Sequence, residues 1–293
     1  MKHKKTELLQ AAIVIPTYNA GTEFAKLLEE LFQQSLQTQY KLIIDSSSTD
    51  DTKKIGEKFD WTVVSIPKES FSHGGTRQQA VNIILDQNPT LDIVIFVTQD
   101  IRIPQRDSLE KLLSVFENES VAAAYGRQIP HEKASVYAAV DREFNYPAES
   151  QLKSMADASV QGIKTTFISD SFAAYRVSAL IEIGGFPKIS ICEDMYVGGK
   201  LLLHGYNMAY VAEAEVRHSH EPDLLWMWHR YKAMGRFHRE NMWLAKKFGG
   251  ATGEGIKLFK YKIKRVGLAY GMMCLIKVVF FDFIKFIAFK LKW

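Results

Sequence analysis

The chain alternates short apolar runs with longer stretches of mixed periodicity. Residues 11–15 and 41–44 are apolar runs that end in polar turns, and 92–97 is apolar almost without interruption. Such runs read as strands buried on both faces of a parallel sheet. Between the first two, residues 23–34 place Phe24, Leu27, Leu28, Leu31 and Phe32 at helical spacing. Residues 61–66 read as a short strand, 71–77 as a glycine-containing loop, and 78–86 and 109–116 as helices. Strand and helix thus alternate through residues 11–125, the pattern of a doubly wound sheet. Further on, 172–175 is a strand, 183–187 a turn, 192–204 a helix and 209–218 a strand. A long helical segment covers 223–248, and 249–253 reads as a linker. Residues 130–165 are mixed and polar and predict no clear element.

The polar residues gather where the strands stop: Pro16-Thr17-Tyr18-Asn19, Asp45-Ser46-Ser47-Ser48-Thr49-Asp50 and Thr98-Gln99-Asp100. Ligands of parallel α/β sheets bind at those carboxyl ends. No Gly-X-Gly-X-X-Gly follows the first strand, which argues against a dinucleotide oxidoreductase.

Composition narrows the reading further. With 293 residues, 47% hydrophobic and 24% charged, the chain suits one large domain plus an appendage. A net charge of +4 excludes nucleic acid as the expected partner. Two cysteines, Cys192 and Cys274, form no disulfide framework and fit a reducing compartment. The basic start Met1-Lys2-His3-Lys4-Lys5 leads into no secretory apolar core, so a cytoplasmic body is expected.

Five groups carry candidate chemistry. Asp45 is placed to accept an N–H from a pyrimidine, or to cap the following turn. Asp100 suits a divalent cation bridging a diphosphate. In His73-Gly74-Gly75-Thr76-Arg77 the glycines permit close approach and Arg77 offers a guanidinium clamp, although a surface turn explains them too. Glu193-Asp194 opens a helix, where acids complement the dipole, yet adjacent carboxylates also suit a general base. His218 and His220 lie two apart on a strand and so share a face, as metal ligands or acid–base groups require.

In this order the motifs resemble the family 2 glycosyltransferases of GT-A fold, over residues 11–245. The segments 44–50 and 71–77, with His218-Ser219-His220 before Arg230-Tyr231, are most similar to the bacterial rhamnosyltransferases. The resemblance implies an α/β, mostly parallel, doubly wound GT-A domain over 1–248; residues 249–293 read separately as a basic amphipathic helical tail. It implies inverting transfer of a sugar from a nucleotide diphosphate sugar, dTDP-L-rhamnose for this branch. Pro16, Thr17, Asn19, Asp45, Ser47, His73, Gly74, Arg77, Gln99 and Asp100 would hold the donor. Thr17, Asn19 and Asp45 would take the nucleoside, and Arg77 would sit beside the base or diphosphate. Asp194, beside Glu193, would be the catalytic base. Asp100, with His220 or His218, would bind Mg²⁺ or Mn²⁺. One departure stands out: Thr98 occupies the first position of the family's Asp-X-Asp, which weakens the anionic ligand set. A UDP-hexose or UDP-N-acetylhexosamine donor, or a non-catalytic nucleotide-sugar-binding scaffold, are the competing readings.

The segment 257–292 carries nine lysines and arginines against the single acid Asp282. On a helical wheel Lys277, Lys285 and Lys292 share one side, largely opposite Phe280, Phe283, Phe286 and Ile287. With too few uninterrupted apolar residues to span a bilayer, the tail reads as an in-plane anchor on the inner face of the cell membrane. That suits a saccharide or lipid-linked saccharide acceptor. The same pattern suits a helix packed on the catalytic domain or on a second copy in a homo-oligomer.

Overall fold

The computed structural model describes residues 9–221 and 223–291; the basic residues 1–5 and Lys292 lie outside them. In chain order the first half runs β1 (Ala11–Thr17), α1 (Phe24–Phe32), β2 (Tyr40–Asp45), α2 (Thr52–Lys58), β3 (Thr62–Ser65), α3 (His73–Gln87), β4 (Ile93–Val97), α4 (Ser108–Ser114) and β5 (Val121–Ile129). Next come α5 (Val136–Asn145), β6 (Gln151–Lys153), α6 (Ala158–Gln161), β7 (Phe172–Arg176), α7 (Val177–Glu182), α8 (Glu193–Leu203) and β8 (Asn207–Arg217). Four helices finish the described chain: α9 (Leu224–Glu240), α10 (Met242–Phe248), α11 (Ala251–Ala269) and α12 (Gly271–Lys290).

The strands form one eight-stranded sheet in the order β3-β2-β1-β4-β7-β5-β8-β6. Continuous apolar strands give it two cores. Ala12 and Val14 of β1 and Val94 and Phe96 of β4 face one layer of helices. Ala11, Ile13, Ile15, Ile93, Ile95 and Val97 face the other, as the two-residue period of a strand requires. Pairings among β1, β2, β3 and β4 are parallel. β7 then inserts antiparallel to both β4 and β5, and β8 resumes parallel to β5. Two successive reversals restore direction, so β1, β2, β4, β5 and β8 all end at one edge of the sheet. β7 starts there. This edge is where the site forms.

Three boundaries depart from the sequence reading. Residues 73–77, read as a loop, are the first turns of α3: Ser72 caps the helix by accepting the Gly75 N–H at 3.2 Å. Glycine serves there as packing space. A Cβ on Gly74 would lie 1.9 Å from the Pro187 carbonyl oxygen and 3.1 Å from Glu193 Cβ. Gly74→Ala therefore separates α3 from the start of α8, and is expected to cost about 1–3 kcal/mol of overpacking strain, read as a lowered urea midpoint. The segment 223–248 breaks at Asn241 into α9 and α10. The supposed linker is short, since α11 already begins at Ala251 and includes Gly253.

The tail is a helical hairpin folded on the domain. α12 packs along α9, where Gly235 leaves room for the Phe289 carbonyl; a Cβ would sit 2.0 Å from it. α11 packs on α5, with Arg265 Nε 3.0 Å from Glu143. Between them Lys262 bonds Asp141 at 2.7 Å and Asp282 at 2.8 Å. Lys285 lies 3.3 Å from Asp141 and 3.4 Å from Asp282. Lys285 thus points inward, correcting the wheel that placed it with Lys277 on a polar outer face. Among the described residues no helix is long and apolar enough to cross a membrane.

Candidate active site

A cleft of about 720 Å³ opens at the strand-end edge. Pro16, Thr17, Tyr18, Phe71 and Gln99 line it, together with residues of α5, α9 and α12. Asp100, His218, His220 and Asp194 also face it.

Asp100, His218 and His220 meet because the chain leaving β4 crosses to the end of β8, where Arg102 and Arg217 exchange backbone hydrogen bonds at 3.0 and 2.8 Å. Their ligand atoms all lie within 4.8 Å of one another. His218 Nε2 is 3.4 Å and His220 Nε2 3.7 Å from Asp100 Oδ2. The two rings stand edge to face at 4.6 Å. Burial alone would raise the Asp100 carboxyl, but the two imidazoles beside it outweigh that and hold the group well below its usual range. Burial and the neighbouring His218 lower His220 to about 4, leaving a neutral ring with a free lone pair. Gln128 on β5, which the sequence did not single out, lies 2.9 Å from His218 Nδ1 through its Oε1 and is held by Ser169 at 2.8 Å. A carbonyl oxygen there receives an Nδ1–H and so turns the Nε2 lone pair to the cleft. That Nε2 is buried with no hydrogen-bond partner, which fits a cation: two imidazoles and a carboxylate on one side are a known divalent-metal donor set.

Also on the cleft wall, Cys192 in a left-handed conformation (φ 61°) turns the chain into α8. Glu193 is buried, and Asp194 half-buried beside it accepts the Met195 N–H at 2.7 Å. Desolvation pushes Asp194 up and Asp170 adds to it, while the Met195 N–H, Arg77 and Arg230 oppose; the balance lies at about 6. Burial also pushes Glu193 up, against the Arg77 guanidinium paired with it. Raised to about 6, Asp194 is ionised at neutral pH, with basicity suited to taking a proton.

Several expected donor contacts are placed otherwise. Asp45 is fully buried and spent on its own turn, accepting from Thr17 Oγ1 at 3.0 Å, Ser48 N at 2.8 Å and the Ser48 hydroxyl. Asn19 accepts the Thr49 N–H at 2.9 Å, and Ser47 donates to the Ile66 carbonyl at 2.8 Å. These residues shape the loops around the cleft; Thr17 reaches its wall, as do Pro16 and His73. Gln99 pairs with both backbone groups of Tyr18, at 2.8 and 3.1 Å. Gly74 packs on Pro187. Arg77 is 3% exposed, and its guanidinium forms ion pairs with Asp170 at 2.8 Å and Glu193 at 2.9 Å. It is no free clamp.

Comparison with known proteins decides the class. The family profile described as "Glycosyl transferase family 2" matches residues 12–184. Over 95% of its length the chain is 41% identical to the O-antigen chain rhamnosyltransferase WbaN of Salmonella anatum, covering 88% of that protein. It is 38% identical to the O-antigen chain rhamnosyltransferase RfbN of Salmonella typhimurium LT2, with 97% and 89% of the two chains covered. The chain belongs to glycosyl transferase family 2. It is a glycosyltransferase, and its curated relatives are bacterial rhamnosyltransferases. Its shape is similar to the mannosyltransferase PcManGT of Pyrobaculum calidifontis, solved with GDP-Man and Mn²⁺, at TM-score 0.65 and 16% identity over 97% of this chain and 86% of that one. It is also similar to Staphylococcus aureus TarS with UDP-GlcNAc, at TM-score 0.60 and 16% identity over 90% and 74%. These neighbours place the glycosyltransferase in the GT-A fold.

Proposed function

We propose that this glycosyltransferase moves L-rhamnose from dTDP-L-rhamnose, with inversion, to a hydroxyl of a lipid-linked or growing cell-surface saccharide. The observation that carries the reading is the shared cleft. Asp194 and the Asp100–His218–His220 cluster both line it, so a base and a diphosphate site address one bound donor. The rhamnosyl assignment is supported by the two relatives named rhamnosyltransferases.

The nucleoside lies against Pro16, Thr17, Tyr18 and Phe71, with the diphosphate toward Asp100. The acceptor enters from the α5–α9 side, past Trp226. Asp194 takes the proton of the acceptor hydroxyl as its oxygen bonds to the anomeric carbon. The bond from that carbon to the β-phosphate oxygen breaks on the opposite face, and dTDP leaves with the electron pair. Asp100, His218 and His220 would hold Mg²⁺ or Mn²⁺, the two imidazoles favouring Mn²⁺. When bound, the ion neutralises charge growing on the departing diphosphate. Radiolabel from dTDP-L-rhamnose is expected in the lipid-extractable fraction of O-antigen-producing membranes incubated with purified enzyme. Transfer only from UDP-sugars would replace the donor.

The tail is the membrane contact in this reading. On α12, Met272 (70% exposed), Met273 (72%), Ile276, Val279, Phe280, Phe283 (60%) and Phe286 form one exposed apolar strip. Exposed Lys277 and Lys290 lie on the same helix, and exposed Lys257, Lys260 and Lys264 on α11, which complements an anionic leaflet. Phe280→Glu with Phe283→Glu is expected to lower binding to phosphatidylglycerol vesicles by at least about tenfold, since each buried phenylalanine contributes about 2 kcal/mol. Unchanged vesicle binding, or loss of a dimer in the same variant, would reassign the strip to another partner or a second copy.

A further inference from the structure

The arginine expected at the donor lies at the cleft wall but is only 3% exposed, and its partners suggest a different task. Arg77 reaches α8 from α3. It forms ion pairs with both carboxylates, its Nε 2.8 Å from Asp170 and its Nη1 2.9 Å from Glu193, and Nη1 donates to the His73 carbonyl at 3.0 Å. Asp170, at the start of β7, is held in turn by the Tyr175 hydroxyl at 2.5 Å. Phe96 closes the other side, its ring 5.6 Å from the guanidinium carbon. All four polar side chains are nearly inaccessible: Arg77 and Asp170 are 3% exposed, Glu193 5% and Tyr175 0%. The α3–α8 contact is also clamped by backbone, with the Gly74 N–H on the Ile189 carbonyl at 3.0 Å.

We propose that Arg77 is the positioning residue for Asp194: gripping Asp170 and Glu193 together, it fixes the first turn of α8 so that Asp194 presents its carboxylate to the cleft. This rests on Asp194 being the base. Three carboxylates crowd here and Arg77 binds two of them. A helix turns about 100° per residue, so anchoring Glu193 inward directs the next side chain elsewhere, here to the cleft wall. The guanidinium is suited to the work because its planar fork addresses two carboxylates at once in fixed geometry, which a lysine ammonium does not. The groups around Asp194 are Asp170 and Tyr175 from β7 and its approach, Tyr146 after α5, Cys192 and Glu193 from its own turn, Arg77 from α3 and Arg230 from α9. Only Arg77 ties two of these carboxylates into one rigid unit.

The test is Arg77→Lys, with Tyr175→Phe as a milder variant that loosens Asp170 without touching the cleft. Positioning predicts that Arg77→Lys lowers kcat by about a hundredfold, the size of a roughly 1 Å misplacement. KM for the donor and calorimetric dTDP affinity stay within about twofold, and Tyr175→Phe falls between. A crystal structure of Arg77→Lys reads the same point without turnover: one carboxylate released and the first turn of α8 displaced or split. If dTDP affinity falls tenfold with kcat kept, Arg77 is a donor ligand and the proposal is overturned. An unchanged first turn of α8 overturns it equally. Asp194→Asn, run alongside, separates the readings: full activity there would remove the base assignment, while the donor-affinity and crystallographic results would still judge Arg77.

Discussion

Asp194→Asn is expected to lower kcat by about 10²–10⁴-fold, the range for losing a positioned general base, while leaving dTDP affinity unchanged. The substitution is nearly isosteric. Its Oδ1 still accepts the Met195 N–H, so the start of α8 is kept. What is lost is the ability to take a proton. The pH profile gives an independent check. In the wild type Asp194 must be ionised, and burial with Asp170 lifts it to about 6. Turnover should therefore rise as pH increases through about 6 and level off above it. The residual rate of the asparagine variant should lose that limb. Wild-type turnover in the variant would remove Asp194 from the chemistry.

Removing the divalent cation is the second large effect. Chelation is expected to reduce transfer by about 10³-fold, since Lewis-acid stabilisation of a leaving diphosphate contributes several kcal/mol. Mn²⁺ should restore it better than Mg²⁺. His218→Ala should weaken Mn²⁺ binding beyond rescue at micromolar metal, because it removes the buried, otherwise unpartnered Nε2. Gln128→Ala should weaken it by about 10–100-fold, the usual cost of releasing a ligand's orienting partner. A titration of Mn²⁺ by calorimetry reads all three proteins. Equal affinities would mean that the cluster holds no ion. Thr98, standing where the family has an acid, leaves Asp100 as the cluster's carboxylate, and the two histidines supply the remaining donors.

The parallel half of the fold was legible because both faces of β1, β2 and β4 are buried and their apolar runs are nearly unbroken. The insertion of antiparallel β7 was not. Its residues 172–176 look like any buried strand, and direction depends on distant pairing. For the site, the polar ends of β4 and β8 pointed to Asp100, His218 and His220, and topology brings them together. Gln128 stayed hidden because a glutamine near a strand end carries no signal of its own. For Asp45 and Arg77 the sequence leaves two readings open. A carboxylate or guanidinium at a strand or helix end suits a ligand and a buried network equally. The structure adds the buried partners, Thr17 and Ser48 for the first and Asp170 and Glu193 for the second. In the tail, Lys285 was placed outward because a wheel does not see Asp141, 144 residues away in sequence.

The central claim is a dTDP-sugar site completed by a metal at Asp100, His218 and His220. It is tested most directly by calorimetry of dTDP and UDP on the purified enzyme, with and without Mn²⁺. The account predicts that dTDP binds more tightly than UDP and that Mn²⁺ strengthens it. UDP preference, or a dTDP affinity indifferent to Mn²⁺, would contradict it.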